Sequence, residues 1–418
     1  MEIHFGEPYA AAEYLLGNLP ILPTHILAPD KPLDGYWGLD ADPATFAGLG
    51  PFVMVRHEPG QRTVLKHNPH YWRTDVQGRR LPFLDELIVE YVPDRNTQLL
   101  RFQSGELDLV DTQLRPEDYH LLMELQDSRF QLFDAGPSNN LYLFWLNLSS
   151  GLNADGQPLV DPKRARWFAN VDFRRALNSA ISRESVVENV FLGNARPAWS
   201  LLPEVFDEWG TDRLVRYPHD LERARQYLRE GGFSWRQSPE GQVLIDDRGE
   251  VVNLNILTRS DDIWGRIAAV LQQDLEQLGI KVTITQEEFR SVISRITRAR
   301  NYDAALLALT IPPDPSDHGN VLLSASPMHF WNPAQASPET SWEKRIDELM
   351  MSQMRAIDRQ QRMAQYAEIQ HIVSDQVALI PLINNNNLVA AQARLRNLKP
   401  APIFPPTLWN SWAFWVEP

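Results

Sequence analysis

The chain has 418 residues, 43% hydrophobic and 22% charged, the make-up of a globular protein and not of a wholly disordered one. At this length two cores are expected, because a single core stops growing near ~250–300 residues. A formal charge of -14 argues against nucleic acid as a partner, and the absence of cysteine excludes disulfides and thiolate metal sites.

Residues 1–20, MEIHFGEPYAAAEYLLGNLP, have no basic start and are interrupted by Glu13, Gly17, Asn18 and Pro20, so they read as neither an export signal nor a membrane span. Residues 31–49, rich in Asp, Gly and Pro, read as a loop. Phe52 to Glu58 and Arg62 to His67 read as strands joined by a turn at Glu58-Pro59-Gly60-Gln61. A third strand is expected over Glu86 to Val92, then a helix Arg95 to Ser104 capped by Asp94 and closed by Gly105, a strand Leu107 to Val110, and a helix Arg115 to Leu125.

Leu141 to Leu148 reads as a strand, and the Gly, Asn, Asp and Pro of Ser149 to Asp161 as a boundary. Asp172 and Ser182 are expected to cap helices over FRRALNSAI and RESVVENVF. Trp199 to Trp209 reads as a loop, Leu221 to Glu230 as a helix and Val251 to Leu257 as a strand. Ile263, Ile267, Val270, Leu271, Leu275 and Leu278 form one apolar helical face that Gly279 ends, and Lys281 to Thr285 alternates as a strand. Helix Glu287 to Ala299 and strand Tyr302 to Leu309 repeat that plan, which implies a sheet covered by helices. Helices over Ser341 to Ile357 and Arg359 to Ser374 precede a strand, Val377 to Ile383, and a return of the chain at Asn384 to Asn387.

The phrases GPFVMVRHEPGQRTVLKHNPHYW, LPFLDELIVEYVPDRNTQLLRFQSGELDLV and VDFRRALNSAISRESVVENVFLGNARPA resemble the family 5 extracellular solute-binding proteins, the dipeptide and oligopeptide receptors of ABC importers. The resemblance runs from about the start to about Ile383. It implies an α/β, two-lobe periplasmic-binding-protein-like fold of type II, peptide-receptor branch, lacking the family's N-terminal part. The expected divisions are 1–148 as partial lobe I, 149–383 as the second lobe and 384–418 as the return to lobe I. The implied function is capture of a peptide or other small solute between two lobes for a membrane permease, by a monomer in the periplasm or another extracytoplasmic space, without chemistry or cofactor. The alternative is a truncated binding or chaperone-like module without a transport role.

No G-x-S-x-G elbow, P-loop or H-E-x-x-H helix is present. His67 and His70 could hold a metal but flank Asn68-Pro69, which reads equally as a surface turn. The acid pairs Asp246-Asp247 and Asp261-Asp262 fit solvated turns and helix caps better than a glycosidase pair. Ligand contacts are expected in Leu309 to Asn320, past the end of a predicted strand, where open α/β sheets place their ligands. Thr310 and Asp314 are the polar candidates there. The aspartate that the resemblance implies for a ligand's amino group falls on Ile311 or Pro312, so Asp314 either substitutes for it or only stabilises the turn.

In MHFWNP, Trp331 and Asn332 either approach the ligand or pack inside, Trp331 beside Trp342. Asn139, Asn140 and Tyr142 either face the cleft or, for the asparagines, form a turn. Trp409, Trp412 and Trp415 read as a carbohydrate platform or as aromatics sealing lobe I. Arg174-Arg175 and Arg295 to Arg300 read as solvated helix faces, with docking to a transporter subunit as the alternative.

Overall fold

The computed structural model describes residues 2–19, 21–23, 25–27, 38, 41–110, 114–153, 155–239, 241–403 and 405–417. Much of the expected loop 31–49 therefore lies outside the described residues. The chain divides into a larger unit, Met1–Leu16 with Pro137–Asn385, and a smaller one, Gly17–Gly136 with Asn386–Pro418.

In the larger unit, strands Asn253–Arg259 and Lys281–Glu287 run parallel, in register from Asn253 opposite Lys281 to Arg259 opposite Glu287. Ala304–Thr310 lies parallel to the first of these and antiparallel to the strand Phe130–Leu146, pairing Thr310 with Asn140 and Ala304 with Leu146. The sheet continues into Ile380–Gln392, on which Ala195–Pro197 also pairs. Successive side chains on a strand point to opposite faces. Tyr142, Phe144 and Leu146 accordingly enter one core and Leu141, Leu143 and Trp145 the other. Phe144 and Trp145 are 0% and 1% exposed, a burial that contributes about 2–3 kcal/mol for each ring. Helices Val171–Ala180, Leu221–Glu230 and Asp262–Glu276 cover the first face, and Ser341–Arg355 with Arg359–Gln376 cover the second.

The predicted helix-to-strand joint at Gly279 has φ +81, and an added Cβ there would lie 2.8 Å from the backbone nitrogen of Leu244. That nitrogen donates to the Gly279 carbonyl at 2.8 Å, which ties in the hairpin Ser234–Ser238 and Gly241–Ile245. The hairpin and the helix Pro162–Ala169 were not anticipated.

Several expectations shift. Asn170, not Asp172, caps the helix Val171–Ala180, its side chain accepting from the amides of Asp172 and Phe173. Trp199 to Trp209 is not all loop, because Glu204–Trp209 winds into a 3-10 turn whose Phe206 and Trp209 are buried. The helix expected over Glu287 to Ala299 starts after Glu288, which caps Phe289–Ser294, and ends in a π-helical turn, Arg295–Ala299. Arg174 is not on a solvated face. It is buried and donates to the carbonyls of Phe168, Ala169 and Gln376, acceptors that two helix ends leave unpaired. Burial pushes its guanidinium down to about 10.

The units part at Gly136/Pro137 and Asn385/Asn386, not at 148/149 and 383/384. The stretch after Leu148 belongs wholly to the larger unit, where Ser149 is buried and its amide donates to Asn147 Oδ1 at 3.1 Å. Asn384 to Asn387, where the chain is expected to return to the first lobe, span the Asn385/Asn386 division and lie within the strand Ile380–Gln392. At the other crossing Gly136 takes φ +82, a conformation glycine adopts without strain.

The smaller unit carries a three-stranded antiparallel sheet, Phe52–Glu58, Arg62–His67 and Glu86–Glu90. Asp94 caps the helix Arg95–Gln103 as expected, accepting from the Thr97 amide at 2.7 Å. Phe102, Leu122 and Leu388 close a core with the strand Leu109–Val110. At the C-terminus Phe414, 2% exposed, is the aromatic that seals the unit, whereas Trp409 is 51% and Trp415 39% exposed. Trp412 stacks instead on the Arg73 guanidinium, 5.1 Å from its ring centre. No described helix is long and apolar enough to cross a membrane.

Candidate functional site

The end of the strand Ala304–Thr310 brings three of the predicted residues together. Thr310 Oγ1 donates to Asn140 Oδ1 at 2.8 Å, between facing members of the antiparallel pair. An amide oxygen is not a base strong enough to take the hydroxyl proton, so this pair orients and does not react. Asn139 is buried and ties the next loop down: its carbonyl accepts from the Ile311 amide at 2.8 Å, and its Nδ2 donates to the Ile311 carbonyl at 3.2 Å. Tyr142, two residues beyond Asn140 on the same side of the strand, is only 6% exposed and stacks on Trp264 with ring centres 5.0 Å apart. It supports the face from beneath.

Sequence reasoning missed Arg259. It ends the neighbouring parallel strand, lies 4.9 Å from the centre of the Phe289 ring and pairs with Asp261 at 2.6 Å. Its Nε meets no partner among the described residues. A strand-end arginine in an α/β sheet was the available signal, but it stood among many arginines. Asp261 stands at the N-cap of the helix Asp262–Glu276, but its carboxylate pairs with Arg259 and makes no side-chain bond to that helix. Asp246, of the other acid pair, is buried. Burial opposes its charge, yet donors on Trp167, the Glu250 and Arg248 amides and Arg166 hold its carboxyl below the ordinary range.

The loop after Thr310 carries the other expected anchor. Asp314 accepts from Arg362 Nη2 at 2.6 Å and from the Ser316 amide at 2.8 Å, so its carboxylate is already committed. Arg362 in turn stacks 4.9 Å from the centre of Trp209. His318 is buried with both ring nitrogens engaged, one by the Tyr366 hydroxyl and one by the Pro312 carbonyl. Beside this loop a cavity of about 120 Å³ is lined by Leu201, residues 309–312, Asp317, His318, residues 320–322 and Met328.

Trp331 and Asn332 are not on this face; they are 0% and 5% exposed. Trp331 Nε1 donates to Glu343 Oε1 at 3.1 Å, and the ring packs against His329 and Trp342. Glu343 also accepts from Gln335 Nε2, from the Thr340 amide and from the Thr340 hydroxyl. Burial alone would raise its carboxyl pKa. The neighbouring His329 ring and these donors instead bring it to about 2.

At the other motif, Asn68 organises the turn that carries His67 and His70, donating to the Gly50 carbonyl and accepting from the His70 amide. Among the described residues no three His, Asp or Glu side chains are placed to hold a metal ion.

Residues 1–329 match the family described as bacterial extracellular solute-binding proteins, family 5 middle. A probable ABC transporter-binding protein of Deinococcus radiodurans is 25% identical over 72% of this chain and 52% of its own length. Di/tripeptide-binding protein 2 of Pseudomonas aeruginosa is 28% identical over 80% of this chain and 55% of its own. The chain thus spans about half the length of these curated relatives. Among solved structures, an ABC transporter substrate-binding protein from Listeria monocytogenes aligns with a TM-score of 0.75 at 20% identity, covering 98% of this chain and 74% of that one. That likeness shows the fold.

Proposed function

We propose that this chain, which belongs to the bacterial extracellular solute-binding proteins of family 5, is the solute-holding part of an ABC importer's receptor. It takes a peptide or another small solute on the strand-end face of its larger unit, outside the cytoplasm, and passes it unaltered to a membrane permease. The observation that carries this reading is the Asn140–Thr310 pair at the end of the strand Ala304–Thr310, the kind of place where open α/β sheets bind ligands, with Arg259 ending the neighbouring parallel strand beside the Phe289 ring.

These groups suit a small zwitterion or polar solute. Asn140 offers amide donors, Arg259 a cation for a carboxylate, and the exposed ring of Phe289 apolar contact. Because the Asn140–Thr310 pair only orients, binding ends in release and not in cleavage. The named ligand of the Pseudomonas relative makes di- and tripeptides the first solutes to test.

Calorimetric titration against a defined di- and tripeptide set tests the reading. At least one member should bind saturably and be recovered intact, and Arg259→Ala should weaken it about 10- to 100-fold, the range for a hydrogen bond to a charged group. Capture of no solute, or cleavage of the peptide, overturns it.

A further inference from the structure

A separate pocket of about 420 Å³ opens on the larger unit toward the other end of the same sheet. Asp303, on its wall, directly precedes the strand Ala304–Thr310, so it stands roughly 20 Å along that strand from Thr310. The volume falls within the ~300–1,000 Å³ of small-molecule sites, but the usual apolar lining is missing. Leu159 and Tyr302, its apolar members, are 7% and 4% exposed and offer no platform for an alkyl chain or a ring face.

The floor is polar where the sheet is elsewhere apolar. Leu257 enters the second core, whereas Asn255, two residues earlier on the same side of the strand, lines the pocket. Its Nδ2 donates to the hydroxyl oxygens of Thr283 and Thr285, each at 2.9 Å, on the strand Lys281–Glu287 at the end of the sheet. A hydroxyl that accepts still has a proton to give. That proton of Thr285, the Asn255 Oδ1 and the side-chain amide of Asn301 meet no partner among the described residues. Asp303 is half satisfied: Oδ2 accepts from the Asn255 amide at 3.0 Å, but Oδ1 lies 3.4 Å from Arg164 Nη1, long for a charge-assisted bond. Burial, the largest influence, leaves its carboxyl above the ordinary range despite Arg164.

The two cations of the lining are spent on the protein itself. Arg164 Nε and Nη2 share Asn253 Oδ1, and Arg295 spans Glu287 Oε1 and the Asn301 carbonyl. Arg295 opens the π-helical turn, a winding that recurs at functional sites, and Arg300 closes it in the left-handed region at φ +54, which side-chain-bearing residues rarely adopt. The backbone therefore leaves regular helix at the residue that walls the pocket. With the cations committed, an anion finds no partner. With the apolar groups covered, an alkyl chain gains nothing. What remains is an alternation of acceptors and donors, which a row of hydroxyls matches because each both donates and accepts.

We infer that this pocket binds a neutral acyclic polyol, its hydroxyls donating to Asp303, Asp161 and Asn255 Oδ1 and accepting from the Thr285 hydroxyl and the Asn301 amide. The site stands apart from the strand-end face and does not rest on the receptor reading. The competing view is that Asn255, Asp303 and Arg164 only fasten the helix Pro162–Ala169 to the sheet.

The probes are sorbitol, hexane-1,6-diol and gluconate, titrated into the full chain by calorimetry with side-chain amide NMR of Asn255 and Asn301. Sorbitol should bind saturably and shift both amide signals. The diol, short of four hydroxyls, should be weaker by about 10-fold or more. Gluconate should also be weaker by about 10-fold or more, because its carboxylate comes up against Asp161 and Asp303. Thr285→Val should weaken sorbitol about 3- to 10-fold at an unchanged denaturation midpoint, since Thr283 still accepts from Asn255. Thr285→Tyr, which fills the pocket, should exclude sorbitol, and Arg259→Ala should leave its binding as it was. No saturable binding, a diol or gluconate as tight as sorbitol, or shifts that miss these amides overturns the inference. So does sorbitol binding that survives Thr285→Tyr, which would leave the polar floor a purely structural joint.

Discussion

Leu309 to Asn320 and Met328 to Asn332 both mix apolar side chains with His and Asn, and both come after the strand Ala304–Thr310 in the chain. Their environments are opposite. In the second segment a single buried carboxylate, Glu343, gathers donors from Trp331, Gln335 and Thr340 around it, with the buried His329 Nε2 3.6 Å away. The first segment has one acid committed to Arg362 and another, Asp317, with no such partner among the described residues, beside an open hollow. Polarity alone does not separate a site from a core. Whether each polar group already has its partner does.

Two substitutions strike the closed segment hardest. Glu343→Ala leaves its ring of donors buried and unmatched, and should cost about 3–5 kcal/mol in chemical denaturation. Trp331→Ala should cost about 3–5 kcal/mol by cavity formation. If either is nearly neutral to stability, the segment is not the packed body described. Acid adds a second axis. The Glu343 carboxyl titrates near 2 when folded, against an ordinary 4.5, so its stabilising contribution is complete above about pH 4.5 and fades as pH falls toward 2. That fading amounts to about 3 kcal/mol, and Glu343→Gln should flatten the acid limb of a stability-against-pH curve.

Asp314 sits between the extremes. Asp314→Ala removes a turn cap and the partner of an arginine whose side chain is 8% exposed, and should cost about 2–3 kcal/mol, softened because Gln353 and Ser316 still bond Arg362. A smaller effect is expected at the face itself. Thr310→Val should change stability by less than about 0.5 kcal/mol yet weaken solute binding, since Thr310 is exposed and bonds only across the strand pair. A loss of stability without a loss of binding would make Thr310 structural.

The same contrast explains what could be read in advance. Helices and strands with strong periodicity, such as Asp262–Glu276 and Lys281–Glu287, lie where the apolar spacing put them, and Gly279 ends the helix for the reason glycine usually does. The long crossing Phe130–Leu146 was cut short because Asn139-Asn140 carry turn chemistry, and Ile380–Gln392 because the run Asn384 to Asn387 read as the chain's return to the first lobe. Their amides instead bond the neighbouring strand, as when Asn384 Nδ2 donates to the carbonyls of Ser138 and Asn140. Arg174 and Trp331 were ambiguous for a related reason: one of the acceptors that hold Arg174 inside, the Gln376 carbonyl, is about two hundred residues away, and the acceptor for Trp331 is on the next helix. Arg259 was invisible because its setting, a strand end beside Phe289, exists only in three dimensions.

The finest test of the comparison is the titration of Asp317. Its folded pKa is raised above the ordinary 3.8, by burial first and by Asp314 second. A raised acid favours the folded state while it is protonated, and that contribution is lost as pH climbs from the ordinary value through the folded one. At neutral pH the ionised group therefore works slightly against the fold, and solvent screening keeps the effect small. Asp317→Asn should raise the denaturation midpoint a little at pH 7 and leave it unchanged well below pH 3.8. The direction is opposite to that at Glu343, where losing the charge hurts at neutral pH. If Asp317→Asn instead lowers the midpoint at neutral pH, the carboxylate already has a partner, and the two segments differ less than their environments indicate.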